Sequence, residues 1–576
     1  MMRITQILLL LAFLPGVGFS QSDQELIYTS FLGGNQFEFA SAVGYNNENP
    51  DEFILGATTE SQNLQTVGSS YLPFFNGGLN DAYYARFSSD GNITYSTFFG
   101  GSDLENIYDL IITNDGQLVI CGSTRSSDFP LEDADNDEFN GTSSGWLAKF
   151  DEEDELLWST YVGGDGDNEN VRAVNNDETG NIYICGSTNS TNLATEGVFQ
   201  EEIINPEVAS GMVGKYSPDG ELIWLTYFAD EEMVILESVA VSLDGQTVYA
   251  LGWSSRTDPF EVTSFQSDNA GSADVLLLAF SSLDGTLNWG TYFGGESFET
   301  ASDLVIDETG KIVIAGNTGS DEGIATTEAF QGDILGVSDF FIAAFTAEGE
   351  LEWSTYVGGS SSETGPVHLD ASNSTLFFGG SVDSDDMPIV GSPYFSSVEQ
   401  SQINIGVGYM AKFDLEGNAI WSTYTNEAYT CGSCSRIAVS LDDKIFCVGS
   451  YLFPASSDEC EESISPDAFQ TEYGGGNADI GIFIFQENTL STSFPKAEPL
   501  TIYPNPTQDF VTIEAPNLLW AGMELTVTDI SGRQVDRVAR FQSGNAYSTS
   551  HLSDGVYILT GQIGERMFRQ KLVVQR

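Results

Sequence analysis

From residue 25 to residue 490 the chain alternates apolar and polar positions in short runs broken by turn residues. Segments such as IYDLIITNDGQLVICGST (107–124) and ASDLVIDETGKIVIAGNT (301–318) read as strand, tight turn and strand. A variable loop follows, then a second hairpin such as GWLAKFDEEDELLWSTYV (145–162), which ends on an aromatic phrase closed by glycines. That phrase returns as YTSFLGG at 28, YSTFFGG at 95, WSTYVGG at 158, WLTYFAD at 224, WGTYFGG at 289, WSTYVGG at 353 and WSTYTNE at 421, at intervals of 67, 63, 66, 65, 64 and 68 residues. So regular a period predicts one four-stranded unit copied seven times, and no helical periodicity competes with it.

The turns carry what backbone sterics asks for. Four positions before each aromatic stand Gly91, Asp154, Gly220, Gly285, Gly349 and Gly417; the inner hairpins have Gly116, Gly180, Gly245, Gly310, Asn373 and Asp443. Such loops need positive φ, where glycine is unpenalised and Asn or Asp are the least costly substitutes. Strands such as IVIAG are apolar on both faces, which a lone small sheet cannot bury but a radial arrangement can. The expected fold is all-β: a seven-bladed β-propeller over residues 21–490, followed by a small immunoglobulin-like β-sandwich. ELIYTSF (25–31) precedes any partner hairpin, and the last unit ends at ADIGIFIFQE (478–487) with no phrase after it. Residues 25–31 are therefore expected to supply the outer strand of the last blade and close the ring.

Charge marks a boundary. Residues 1–495 hold 11 Lys+Arg against 77 Asp+Glu, whereas residues 496–576 hold 8 of each, so the formal charge of −66 lies wholly in the body. A body this acidic repels nucleic acid and anionic membranes, which are bound through Lys and Arg. The opening MMRITQILLLLAFLPGVGFS reads as a signal peptide cleaved between Ser20 and Gln21, and no later stretch has the roughly 18 apolar residues that cross a bilayer. The expected product is exported, with no transmembrane segment.

Export also shapes the reading of the cysteines. Cys121 and Cys185 sit in matching ICGST phrases and read as small buried thiols. Cys431, Cys434, Cys447 and Cys460 cluster and are disulfide candidates, their pairing left open by the spacing.

Catalytic signatures are sparse. His368 and His551 are the two histidines, so a Ser-His-Asp site in the body would rest on His368, which stands on a repeat strand and reads as structural. A pair of carboxylates could still serve a glycosidase. SPDGELIW (217–224) is similar to the sialidase Asp-box, S-x-D-x-G-x-T-W, but Gly220 stands one place early and Ile223 replaces the threonine. Arg86, Arg125, Arg172, Arg256 and Arg436 are scattered over different repeats, against the arginine cluster such an enzyme needs. Calcium is the candidate cofactor, through Asp133, Asp135 and Asp137 in DADNDEFNG and through Asp165, Asp167 and Glu169 in GDGDNEN.

Two resemblances add to this reading. NIYDLIITNDGQLVICGSTRSSDFP (106–130) and ETASDLVIDETGKIVIAGNTGS (299–320) resemble the SBBP bacterial β-propeller repeat, and the likeness runs across roughly residues 25–490. After a linker at 491–499, residues 500–576 resemble the type A C-terminal sorting domain of the Bacteroidetes type IX secretion system. YPNP (503–506), DISGR (529–533), LSDGVYIL (552–559) and a basic last strand carry that likeness. It implies that Tyr503, Pro504, Asn505 and Pro506 open the domain, that Gly532 and Gly555 occupy turns, and that Lys571 to Arg576 form the strand read by the secretion machinery. It also implies transport of the folded protein across the outer membrane, then surface attachment or release.

The function expected from residues and resemblance together is a non-catalytic binding or adhesion scaffold. Its ligand would be a polysaccharide or envelope component held by loops on one face, with YLPFF (71–75) and PYF (393–395) as stacking aromatics. A secreted carboxylate-dependent hydrolase is the alternative.

Overall fold

The computed structural model describes residues 22–487, apart from 47–51, 257–264, 399–405, 427–432 and 453–463, together with most of 498–574. The chain divides into two compact units, Met1–Glu487 and Asn488–Arg576.

The first unit consists of seven four-stranded antiparallel sheets, each in consecutive order except the last. Blades 1 to 6 span 38–99, 105–162, 170–228, 234–293, 299–357 and 367–424. Blade 7 takes three strands from 436–487, and its outer strand is Gln24–Leu32 from the start of the chain. Leu26 pairs with Phe485, Phe31 with Gly481 and Leu32 with Ile480, the closure that ELIYTSF predicts. The inner strands of successive blades touch in an unbroken cycle, blade 7 against blade 1 included. Apolar side chains fill the spaces between blades: Tyr84 and Phe99 of blade 1, for example, pack with Trp146 and Tyr161 of blade 2.

The repeated phrase forms the outer strand, and its aromatic grips the next blade. The Nε1 of Trp158, Trp224 and Trp353 donates to the Pro218, Ser282 and Leu415 carbonyls at 3.0, 3.2 and 3.1 Å. These acceptors lie in the next blade's outer turn, where a Cβ on Gly220 would come within 2.6 Å of the Trp158 ring. The turn glycine is thus demanded twice, by its φ of 85° and by the indole beside it. Asp154, Asn373 and Asp443 take the same conformation at φ 64°, 54° and 63°. Asp154 faces Tyr84 and Arg86 instead of an indole.

A glutamate holds five of the seven blade junctions. Glu38, Glu105 and Glu299 accept from the amides of Gly34, Gly101 and Gly295 at 2.9, 3.0 and 2.9 Å, and from the hydroxyls of Thr59, Thr124 and Thr318 at 2.8, 2.6 and 2.7 Å. Glu169 takes the Ser190 hydroxyl at 2.6 Å, and Glu363 takes the Gly359 amide and the Ser384 hydroxyl. The clasps of Glu38, Glu105, Glu299 and Glu363 tie the glycine exit of one blade to the start of the next, whereas Glu169 bonds within its own blade. Where blade 3 exits into blade 4 the chain has Ala229–Asp230, Val234 in place of the glutamate and Arg256 in place of the serine, and there Arg256 pairs with Asp230. Blade 7, which has Thr425–Asn426 at its entrance, carries the Cys434–Cys447 disulfide beside its short inner strand Arg436–Val439. Cys121 and Cys185 are free and buried; Cys431 and Cys460 lie outside the described residues.

Replacing Glu299 by Leu would leave the Gly295 amide and the Thr318 hydroxyl buried without an acceptor. The expected loss is about 3 kcal/mol of stability, read as a lowered denaturation midpoint, whereas Val234→Ala at the junction that lacks the clasp should cost less.

The second unit is a sandwich of a five-stranded and a three-stranded sheet. Val511, Ile513 and Tyr547 of the smaller sheet pack with Leu525, Val527, Leu559 and Leu572 of the larger. The strand Gly555–Ile563 turns Tyr557 and Leu559 into this core.

Candidate functional site

The inner strands of blades 1 to 5 each carry a β-bulge at the same height, between Ala40 and Ala42, Ile107 and Asp109, Val171 and Ala173, Leu236 and Ser238, and Ala301 and Asp303. A bulge frees one residue from the ladder and re-aims its side chain. The freed residues are Ser41, Tyr108, Arg172, Glu237 and Ser302, and all five line a cavity of about 110 Å³ on the propeller axis. His368 of blade 6 and Arg436 of blade 7 complete the ring, with Asp109 and Asp303 beside them.

Most of these charged groups are committed to neighbouring blades. Asp109 accepts from the Leu110 amide at 2.8 Å and from the Val174 amide of blade 3 at 2.9 Å. Asp303 accepts from Leu304 and from Leu369 of blade 6, both at 2.8 Å. Arg436 donates to the carbonyls of Ser41 and Ser435. Burial pushes Asp109 up to about 7 against the pull of its two amide donors, and it holds His368 below its ordinary pKa although Asp303 is 3.6 Å away. Arg172 is the exception. Its guanidinium lies 4.7 Å from the centre of the Tyr108 ring and 3.9 Å from Glu237, with no hydrogen bond to another described residue. Burial raises the pKa of Glu237, opposed first by Arg172.

The arginines scattered along the sequence are therefore not all scattered in space: Arg172 and Arg436 meet at the axis. Arg86 instead pairs with Glu52 and Asp154, and Arg256 with Asp230. His368 proves to line the cavity, a position that its repeat-strand setting did not reveal.

Antiparallel order sends the loops between second and third strands, and the glycine exits, to one face of the disc. The long loops are pinned there. Gln266 and Gln331 donate to Asp274 and Asp339 at 2.7 and 3.0 Å and accept from the exit glycines Gly294 and Gly358; Gln470 accepts from Gly33 in the same way. The threonine of the repeated phrase completes the pin, Thr291 and Thr355 each accepting a loop amide at 2.8 Å. Of the aromatics expected to stack on sugars, Tyr71 packs on Phe99 and Phe150, Phe75 on Phe98, and Phe395 on Tyr394. Phe74 is left 78% exposed on this face, as is Val337 at 81%.

The acidic loops do not converge. Asp133, Asp135 and Asp137 are exposed along one loop, and Asp165 and Asp167 are exposed on another. Asp165 accepts from the amide and hydroxyl of Thr191, while Glu169 is buried in its junction clasp. Among the described residues no group of three acids, histidines or cysteines is placed to hold a metal ion. Sequence reasoning passed over the junction glutamates, although aligning the repeats on their glycine pairs would have exposed them.

In the second unit Tyr503 is half exposed in its strand, Gly555 opens the strand Gly555–Ile563, and Lys571 pairs with Ile558. Pro504, Asn505, Pro506, Gly532, Ser20 and Gln21 lie outside the described residues. No helix among those described is long and apolar enough to cross a membrane.

Comparison with known proteins matches residues 157–194 to the SBBP β-propeller repeat and residues 501–575 to the secretion system C-terminal sorting domain. No curated protein matches. Similar solved structures include a protein of unknown function from Dyadobacter fermentans, 10% identical, covering 81% of this chain and 100% of its own, TM-score 0.35. Sqt1 from Chaetomium thermophilum is 10% identical, covering 81% and 99%, TM-score 0.37. A gluconolactonase from Xanthomonas campestris is 14% identical, covering 62% and 93%, TM-score 0.30. The sorting domain marks the chain for type IX export to the cell surface or the medium. The chain is a seven-bladed β-propeller protein that carries an SBBP repeat match at 157–194 and a type IX secretion sorting domain at 501–575.

Proposed function

We propose that the exported propeller is a non-catalytic binding scaffold that holds a polysaccharide or envelope component on its loop face. The observation that carries this reading is that Phe74 and Val337 stand exposed on loops pinned to the blade exits, the first through Asn76 donating to the Gly100 carbonyl and the second through Gln331. Such a platform presents apolar surface without the ordering cost that free loops would impose. The axial carboxylates Asp109 and Asp303 are meanwhile tied by backbone amides of adjoining blades, which favours a structural role for them over acid–base work.

The test is to incubate the mature chain with a panel of insoluble polysaccharides, with calcium or with chelator, and to measure retention and chain shortening together. Retention without shortening is expected, reduced at least tenfold by Phe74→Ala with Val337→Ser. Shortening abolished by a single Asp or Glu substitution would establish the hydrolase instead, and neither retention nor shortening would overturn both. Loss of retention in chelator would revive a calcium role for the loops bearing Asp133 and Asp165.

A further inference from the structure

The axial cavity differs from the rest of this acidic surface in having two guanidiniums in its wall. Five bulges at one height turn Ser41, Tyr108, Arg172, Glu237 and Ser302 toward the axis. Bulges that re-aim side chains are features of built sites, since each gives up a ladder position to do so. Of the charged groups gathered there, Asp109, Asp303 and Arg436 are engaged by backbone groups. Arg172 and Glu237 retain capacity. Arg172 is held by the face of Tyr108 and lies 3.9 Å from Glu237, too far for a good charge-assisted hydrogen bond. Its side chain is 35% accessible and Glu237's is 25%; the Trp253 indole donates to the Glu237 carboxylate, which keeps further acceptor capacity.

We propose that this cavity binds a small zwitterion of the α-amino acid type, its carboxylate on the Arg172 fork and its ammonium on Glu237. The carboxylate carbon and the ammonium nitrogen of such a ligand are two covalent bonds apart, matching adjacent guanidinium and carboxylate groups laid side by side in the wall. A planar guanidinium stacked on tyrosine is preorganised for a carboxylate, and the fork recognises its two oxygens together. A simple anion must approach a body of charge −66, and a simple cation meets the guanidiniums of Arg172 and Arg436 in the wall; a molecule with both charges meets neither barrier in full. At about 110 Å³ the cavity suits glycine or alanine better than a larger side chain. The Ser41 and Ser302 hydroxyls supply neutral partners at its edge.

The experiment is calorimetric titration and thermal-shift measurement of the mature full chain with glycine and L-alanine, with acetate, methylammonium and glucose as the probes of each half and of a neutral polyol. Saturable binding of the amino acids is expected, at least tenfold tighter than any of the three controls. Arg172→Lys, which keeps the charge and loses the fork, and Glu237→Gln should each weaken it at least tenfold, while Leu283→Ala, on an exposed outer turn, leaves it unchanged. Absence of saturable binding by either amino acid, equal binding of a control, or unaltered affinity in folded Arg172→Lys and Glu237→Gln would each overturn the proposal. Should Glu237→Gln fail to fold, Arg172→Lys decides the matter alone.

Discussion

A Ser30→Pro chain is expected to lose the native disc rather than to weaken it. Ser30 pairs with Ile482 in the sheet that closes the ring, and the amides of its neighbours Thr29 and Phe31 point the other way, to Ser465 and Gln470. The Ser30 amide therefore belongs to the ladder, and proline there removes a hydrogen bond and pushes its ring into the strand, a cost of about 3 kcal/mol or more. Detachment of the strand would also expose Tyr28, Phe31 and Leu32, each now 3% exposed or less and each worth roughly 1.5–3 kcal/mol. Together these approach the whole stability of an ordinary domain, about 5–15 kcal/mol. The freed edge of blade 7 would then be open to pairing with other chains. Size-exclusion chromatography and a melting curve check this: aggregated or early-melting material is expected, whereas a monomer with unchanged melting temperature would show that the closing strand is dispensable.

Mild acid is expected to stabilise the propeller. Asp81, Asp109 and Asp479 are pushed up to about 7, and Asp274 and Asp370 to about 6, in each case first by burial. Unfolded, all would titrate near 3.8. Between about pH 4 and 7 the folded chain therefore holds protons that the unfolded chain has released. The stabilisation is complete below the unfolded value and is lost as pH rises through the folded ones, by about 1.4 kcal/mol per group and pH unit. Self-repulsion within a body of charge −66 acts in the same direction. Below pH 4 the exposed Asp128 and Asp165, held low by their hydrogen bonds, reverse the trend. The melting temperature should peak near pH 4–5 and fall toward pH 8. Asp81→Asn with Asp479→Asn should flatten that fall and raise the value at pH 8, since asparagine can keep the Asn76 and Gly474 amide bonds without a charge. A melting temperature that climbs steadily from pH 5 to 8 would contradict this account.

The ring, the turns and the closing strand were legible in the sequence because each is local or periodic. Alternation marks strands, positive φ selects Gly, Asn or Asp, and an unpaired first phrase matches an incomplete last unit. The clasps were legible too but hidden by attention to the glycines alone: the glutamate follows the glycine pair by a few residues, and in blade 4 the glycines, the glutamate and the serine change together to make room for Arg256 and Asp230. The axial cavity was not legible. A bulged residue looks like any other strand position in one dimension, and Arg172 and Arg436 become neighbours when blades 3 and 7 are bent round a common axis. Reading the long loops as free to vary missed that Gln266, Gln331 and Gln470 recur in them as fasteners.

The closing sheet has a consequence for biogenesis. Thr29 bonds to Ser465, 436 residues further on, so the seam between the chain's two ends can be sewn after nearly the whole body has been synthesised. A ribosome that stops anywhere before blade 7 releases a polypeptide with an unsealed flank and without the C-terminal sorting domain. The same truncation that leaves a sheet edge open thus also removes the label for the last transport step.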